Sequence, residues 1–257
     1  MKRANLFWIT TIATSLASAA VQSANGDTKT EFAHANQEYS EGHFQEAVNG
    51  YQKLVNAGDW SANLFYDLGN AWFRLGNFGE AMLNYERAVA LDPHHPEAAA
   101  NLSLVRDEAR ALELRRSGIE RYIGAGTAGQ YCVVAAVAFW LLLFSATRLF
   151  LFRRRSLIML SLVIFATVTV ASAVFAIYSL ETGSRGQGLA IVTGRKIEAR
   201  LATADNSNSI LALPPGSEIK VLSHRGDWLY AKLPNDLRGW IPASGAERVR
   251  LALTRPE

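Results

Sequence analysis

The chain's stock of acid–base, nucleophilic and metal-binding groups is five histidines, one cysteine and 23 carboxylates. Their spacing argues against catalysis. His94-His95 lies between Pro93 and Pro96, which reads as a polar turn, while His34, His43 and His224 are scattered. A zinc site needs three or four ligands converging on one point, and no such spacing occurs. Cys132 stands alone, which removes an intrachain disulfide and any cysteine-based zinc site. Nucleophile-elbow, phosphate-loop, HExxH and dinucleotide-glycine signatures are missing. The expectation is a protein that is not an enzyme, with no cofactor and no metal, whose chemistry is recognition.

The elements that would position recognition residues follow from composition and patterning. Of 257 residues, 49% are hydrophobic and 19% charged, with mean hydropathy +0.05. These values exclude an acidic disordered chain. The formal charge of +3 is too small to suggest nucleic-acid binding. The charge is unevenly spread. Residues 27–121 carry 9 basic and 15 acidic side chains, and residues 181–257 carry 11 and 8.

Three apolar stretches punctuate the chain. Met1-Lys2-Arg3, a short apolar run and the small-residue pattern Ala17-Ser18-Ala19 read as a secretory signal peptide over 1–24. Two longer stretches, 128–152 and 156–180, read as membrane-spanning helices, because about 25 helical residues reach roughly 37 Å. Arg148, Arg153, Arg154 and Arg155 cluster at their junction, with 153–155 as the tip. The positive-inside rule puts that tip in the cytoplasm and both flanking regions outside. The expected localisation is thus a bacterial inner (cytoplasmic) membrane, crossed twice, with periplasmic N- and C-terminal domains. Cys132 falls within the first helix and reads as a packing residue.

Residues 28–95 repeat with a period of 34. Gly42, Phe44, Glu46, Ala47 and Tyr51 recur as Gly76, Phe78, Glu80, Ala81 and Tyr85, and Phe32, Asn36 and Tyr39 recur as Tyr66, Asn70 and Phe73. Together with Phe65, Leu68-Gly69, Trp72, Ala88 and Pro93, this pattern resembles the tetratricopeptide repeat (TPR) family. The first copy departs from it, with His34-Ala35 for Leu68-Gly69 and Glu38 for Trp72. A further helical pattern over 97–116 reads as a third, incomplete repeat or a cap, giving a domain over 28–120 of about five helices. The resemblance implies a concave groove lined by Phe32, Asn36, Tyr39, Tyr66, Asn70, Phe73 and Arg74, holding an extended peptide. Residues 27–97 carry 11 acidic and 4 basic side chains, which favours a basic or neutral protein partner.

After a linker over 181–188, short strands with frequent turn signals fill 189–250. Leu213 to Leu222, Gly226-Asp227-Trp228-Leu229 and Gly239-Trp240-Ile241 resemble the bacterial SH3-like (SH3b) domain, implying a small β-barrel. Its ligand face would hold Trp228, Tyr230 and Trp240, with peptidoglycan as the ligand class of related domains. The order of signal peptide, TPR, two-helix hairpin and SH3-like domain is similar to the BatE-like proteins of bacterial aerotolerance (Bat) operons. That resemblance implies a non-enzymatic membrane scaffold beside von Willebrand-domain Bat proteins in an envelope or oxidative stress complex. The alternative is an envelope sensor or wall-anchoring protein whose SH3-like domain binds peptidoglycan.

Overall fold

The computed structural model describes residues 28–151, 157–184, 186–204 and 206–251. The signal-peptide segment, Arg153, Arg154 and Arg155 lie outside the described residues. Eight helices and seven strands are present among those described. The first helix, α1, covers 28–41 and is followed by α2 (Phe44–Ala57), α3 (Ala62–Arg74), α4 (Phe78–Leu91) and α5 (Pro96–Ala109). Then come a short α6 (Gly118–Ile123) and two long apolar helices, α7 (Ala128–Leu151) and α8 (Leu157–Thr182). The strands are β1 (Leu189–Val192), β2 (Ile197–Arg200), β3 (Ser209–Leu213), β4 (Glu218–Arg225), β5 (Trp228–Lys232), β6 (Arg238–Pro242) and β7 (Ala246–Arg248).

The 34-residue period in the sequence is a period in contacts. Asn36 accepts from Tyr51 Oη at 2.6 Å, and Asn70 accepts from Tyr85 Oη at 2.7 Å. Phe32 packs on Tyr51 as Tyr66 packs on Tyr85, with ring centroids 5.9 and 6.0 Å apart. Tyr39 meets Phe44 as Phe73 meets Phe78. Within the second hairpin Gly69 is obligatory, since a Cβ there would come within 2.7 Å of the fully buried Tyr85 ring. The helical pattern expected over 97–116 stops early. Arg110 takes a left-handed conformation (φ 50°) as the cap of α5, and residues 111–114 run out toward the sheet.

The strands form one antiparallel sheet in the order β3-β2-β6-β5-β4-β1-β7. The sheet does not close into the expected barrel, and β3 and β7 remain its two edges. Strand β1, next to the β7 edge, is buried along its whole length. Ala190 and Val192 enter the sheet's own core with Ile219, Leu229 and Ile241, whereas Leu189 and Ile191 point the other way, into a core built by Met82, Leu83 and Tyr85 of α4. A strand with apolar partners on both faces is held between two layers, so its run Leu189-Ala190-Ile191-Val192 does not alternate. The layers approach closely at Gly79, where a Cβ would lie 2.8 Å from Thr193 Cα. The helical repeats and the sheet are therefore one packed body.

A buried polar cluster locks the two layers. Glu218, 1% exposed, accepts from Arg106 Nη2 at 3.2 Å and from the backbone N–H of Leu114 at 3.2 Å. Arg106 also meets Glu86 at 3.6 Å and Glu113 at 2.7 Å. Arg87 of α4 reaches Glu247 at 2.5 Å and the Arg248 carbonyl at 3.1 Å. Removing one member of a buried ion cluster leaves the others unpaired, which is costly. Arg106→Ala should lower unfolding stability by about 3 kcal/mol, measured by denaturant titration of the detergent-solubilised chain. Arg195→Ala, on the exposed surface, should change it by less than about 0.5 kcal/mol.

Helices α7 and α8 pack side by side. Their seam is made of small side chains, Ala138 and Ser145 on one and Ala166, Ala173 and Ala176 on the other. The seven-residue steps 138–145 and 166–173 keep small residues on one line, which suits close left-handed crossing. The large apolar side chains, including Phe139, Phe144, Phe165 and Phe175, point outward and stay exposed. Both helices are long and apolar enough to cross a membrane. Cys132, expected to pack, is exposed instead, because the seam runs through Ala138 and Ser145 on another side of α7.

Candidate functional site

The first helix of each hairpin, α1 or α3, meets the start of α5 at a shallow cavity of about 500 Å³. It is lined by Phe32, Asn63, Tyr66, Asp67, His95 and Glu97, with Asp92 and Pro96 at the rim. On α3 the positions 63, 66, 67 and 70 share one face, by the three- and four-residue steps of a helix. Tyr66 is held there by two rings, Tyr85 and the His95 imidazole, the latter with centroids 5.0 Å apart. His95 is fixed in turn as the cap of α5, its Nδ1 accepting from Ala98 N–H at 3.3 Å.

Three carboxylates face this cavity. Burial pushes the Asp67 carboxyl up to about 6, with His95 acting in the opposite direction. Asp92 and Glu97 are exposed at the rim; Asp92 accepts from the His94 N–H at 3.0 Å and Glu97 lies 3.2 Å from His95 Nδ1. A recess with two aromatic walls and three acidic groups is suited to an apolar side chain beside a lysine or arginine.

Of the seven groove residues expected from sequence, Phe32 and Tyr66 line the cavity. Asn36 and Asn70 have their amide oxygens bonded to Tyr51 and Tyr85, and Asn70 also accepts from Asn101 Nδ2 at 3.0 Å. Those amides tie helix to helix. Tyr39 and Phe73 sit at the turn ends against Phe44 and Phe78, and the Arg74 guanidinium lies over the Phe44 ring at 4.5 Å. Asp67, Asn63, His95 and Glu97 were not expected. The signal for Asp67 was available, since it adjoins Tyr66 on the same helix face. His95 and Glu97 could be placed only once α5 was seen to fold back beside α3.

On the sheet, Tyr230 and Trp240 are directly cross-strand with centroids 4.9 Å apart, and Trp228 pairs with Pro242 two positions along. All three expected rings are half-buried on the face opposite the core, accompanied by Arg200, Arg225, Lys232 and Arg238 in the same registers. Arg148 is exposed near the far end of α7. At the α1–α2 turn, Glu38, Glu41 and His43 bring ligand atoms within 4.8 Å of one another on the surface, where His43 Nδ1 lies 2.9 Å from Glu38.

Residues 62–95, from the start of α3 to the cap of α5, match the tetratricopeptide repeat family model. No curated protein is significantly similar to the chain. The matched unit is one hairpin, α3–α4, and it contains Tyr66, Asp67 and His95. Such repeats are interaction modules and typically not catalytic.

Asp67 gives a test in which two readouts move in opposite directions. Its folded value lies above its ordinary value of 3.8, so the stability tied to its proton is present at low pH and is lost as pH rises through about 6. Asp67→Asn should raise the melting temperature near neutral pH, and the gain should vanish near pH 4. The same variant should bind a lysine-rich peptide more weakly at neutral pH, whereas wild-type binding should strengthen between about pH 5 and 7.5, by titration calorimetry.

Proposed function

We propose that the chain is a non-enzymatic, membrane-anchored scaffold that uses its repeat domain to recognise a cationic protein segment on the exported side of a bacterial inner membrane. The observation that carries the reading is the aromatic and acidic cavity of Phe32, Tyr66 and Asp67, the last two within the matched repeat. The anchor would be the α7–α8 pair, whose apolar side chains face outward. A shared core between the repeats and the sheet supports an even number of crossings, since residues on both sides of the hairpin must then occupy one compartment. Arg148, with Arg153 to Arg155 in sequence, supports a cytoplasmic tip. The order of these parts, with the SH3-like motifs, is what supports a place in a Bat-type complex beside von Willebrand-domain proteins.

Two measurements test this. Reversing the rim charges, Asp92→Lys with Glu97→Lys, should abolish co-purification of the partner without changing the melting temperature by more than a few degrees. Undiminished co-purification would exclude the cavity. Alkaline phosphatase fused after Glu257 should be active, and an inactive fusion overturns the exported arrangement.

A second reading rests on the sheet. Trp228, Tyr230 and Trp240 beside Arg200, Arg225 and Arg238 form an aromatic, cationic face suited to an SH3-like wall-binding module, as a sensor or anchor on peptidoglycan. Because Leu189 and Ile191 belong to the core shared with α4, the full-length chain is the proper probe. Retention on purified sacculi that Trp240→Ala abolishes would favour it; no retention removes it.

A further inference from the structure

The segment between α5 and α7 and the end of α8 enclose a second polar region, away from the repeat cavity. Here a cavity of about 380 Å³ is lined by Arg115, Arg116, Lys220 and Lys232, with the hydroxyl side chains Ser117 and Ser184. Its two carboxylates are Glu120 and Asp236. Four cations against two anions leave a net positive recess. Lys220 and Lys232 are direct cross-strand partners, an arrangement that is unfavourable between like charges. Each is braced: Lys220 donates to the carbonyl of Thr182, the last residue of α8, and Lys232 meets Asp236 at 2.8 Å.

Glu120 is committed elsewhere. It accepts from Ser117 N–H at 3.0 Å, from Ser184 N–H at 3.1 Å and from Ser184 Oγ. Burial raises its carboxyl, but these bonds and the nearby Lys220 outweigh that and hold it below the usual range. It therefore stays ionised, and fastens α6 to the end of α8. Among the described residues, Arg115, Arg116 and Lys220 form no ion pair with a carboxylate, although Arg115 bears on Asp236 electrostatically.

The position of the recess is as informative as its charge. Ser184 lies two residues beyond α8, and Lys220 is bonded to the end of that helix. On the other side of α6, sharing Arg116, Glu120 and Ser184, is a cleft of about 630 Å³ whose lining mixes the charged Glu86, Arg121 and Arg250 with Ile123 of α6 and with Ala128, Ser179 and Leu180 at the ends of α7 and α8. Ile119 and Tyr122 of α6 are 61% and 83% exposed, and Tyr178 is 65% exposed. Exposed tyrosines and an isoleucine at the ends of two apolar helices are the pattern of a membrane–water boundary. A basic recess joined to a cleft whose walls turn apolar at Ala128, Leu180 and Ile123 matches a molecule with a phosphate at one end and hydrocarbon at the other.

We propose that Arg115, Arg116, Lys220 and Lys232 bind the phosphate of an anionic phospholipid headgroup, whose glycerol end enters the cleft beside Leu180. The assignment rests on α7 and α8 crossing the bilayer, as argued above. Binding would clamp α6, the sheet and the helix ends together at the membrane surface. It depends on the charge of the recess and not on the repeat cavity.

The test uses full-length protein extracted from membranes with its bound lipid and read by native mass spectrometry, then re-equilibrated in nanodiscs of phosphatidylcholine with or without phosphatidylglycerol. Wild type should retain phosphatidylglycerol in preference to phosphatidylcholine. Arg115→Glu with Arg116→Glu should weaken retention roughly 25-fold, at about fivefold for each surface cation even before charge reversal is counted. Arg195→Glu, outside the recess, should leave it unchanged. Equal retention of the two lipids overturns the site, and so does an undiminished preference in the double variant. Displacement of lipid by millimolar inorganic phosphate, with no headgroup preference, would assign the recess to free phosphate and overturn the lipid assignment. Carbonate extraction of the same membranes separates the two levels: a chain released by carbonate defeats the membrane reading, whereas a resistant chain with no lipid preference defeats the recess alone.

Discussion

Glu218 is nearly sealed from water, yet it is held by donors that come from more than a hundred residues earlier in the chain, among them the Arg106 guanidinium and the Leu114 amide. A carboxylate in such a place is tolerable only while these donors are present. Their presence dictates how the chain leaves α5. Arg110 must turn it out of the helix, so that residues 111–114 can lie along the start of β4, where Leu112 also bonds Ser217 at 3.1 Å. That path delivers α6 to the end of α8. The orientation of the repeat cavity relative to the apolar hairpin is thus fixed by one small polar cluster and not by a flexible linker.

Around that cluster the apolar packing is distributed unusually for a stack of helical hairpins. Helix α4 is buried on nearly every side: Tyr85 and Ala88 meet the hairpin's own seam, while Met82 and Leu83 meet the strand layer. An open stack of repeats needs a polar outer face or a cap to end it. Here the sheet supplies the cover through β1. The same strand keeps its other face, Ala190 and Val192, in the sheet's own core.

What could be read from the residues, and what could not, divides along contact range. The 34-residue repeat was legible because its contacts, such as Asn70 with Tyr85, join positions within one hairpin and recur in both copies. The strand segments and the two long apolar helices were legible for a related reason, since periodicity and length act locally. The docking of the sheet on the repeats was not, because Leu189 to Val192 shows only that a strand is buried on both sides, and not that one side faces α4. Half of the cavity was also hidden. Tyr66 and Asp67 adjoin in sequence, but His95 and Glu97 reach them only through the angle at which Pro96 starts α5. The recurring amides of Asn36 and Asn70 misled for an understandable reason: a polar side chain on a groove-lining helix can serve the neighbouring helix as readily as a ligand.

The order of the chain gives the shared core a consequence for biogenesis. Helices α1 to α5 emerge first, with the Met82 side of α4 still uncovered, and the strand that covers it follows about a hundred residues later, after the whole α7–α8 hairpin. Until β1 arrives, the newly made helical part carries an apolar patch with no mate and a buried-to-be arginine, Arg106, with no Glu218. Synthesis interrupted anywhere before residue 189 would therefore leave a product prone to stick to other chains, and one that quality-control proteases should recognise. Completion of the strand layer is thus the step that covers the apolar side of α4.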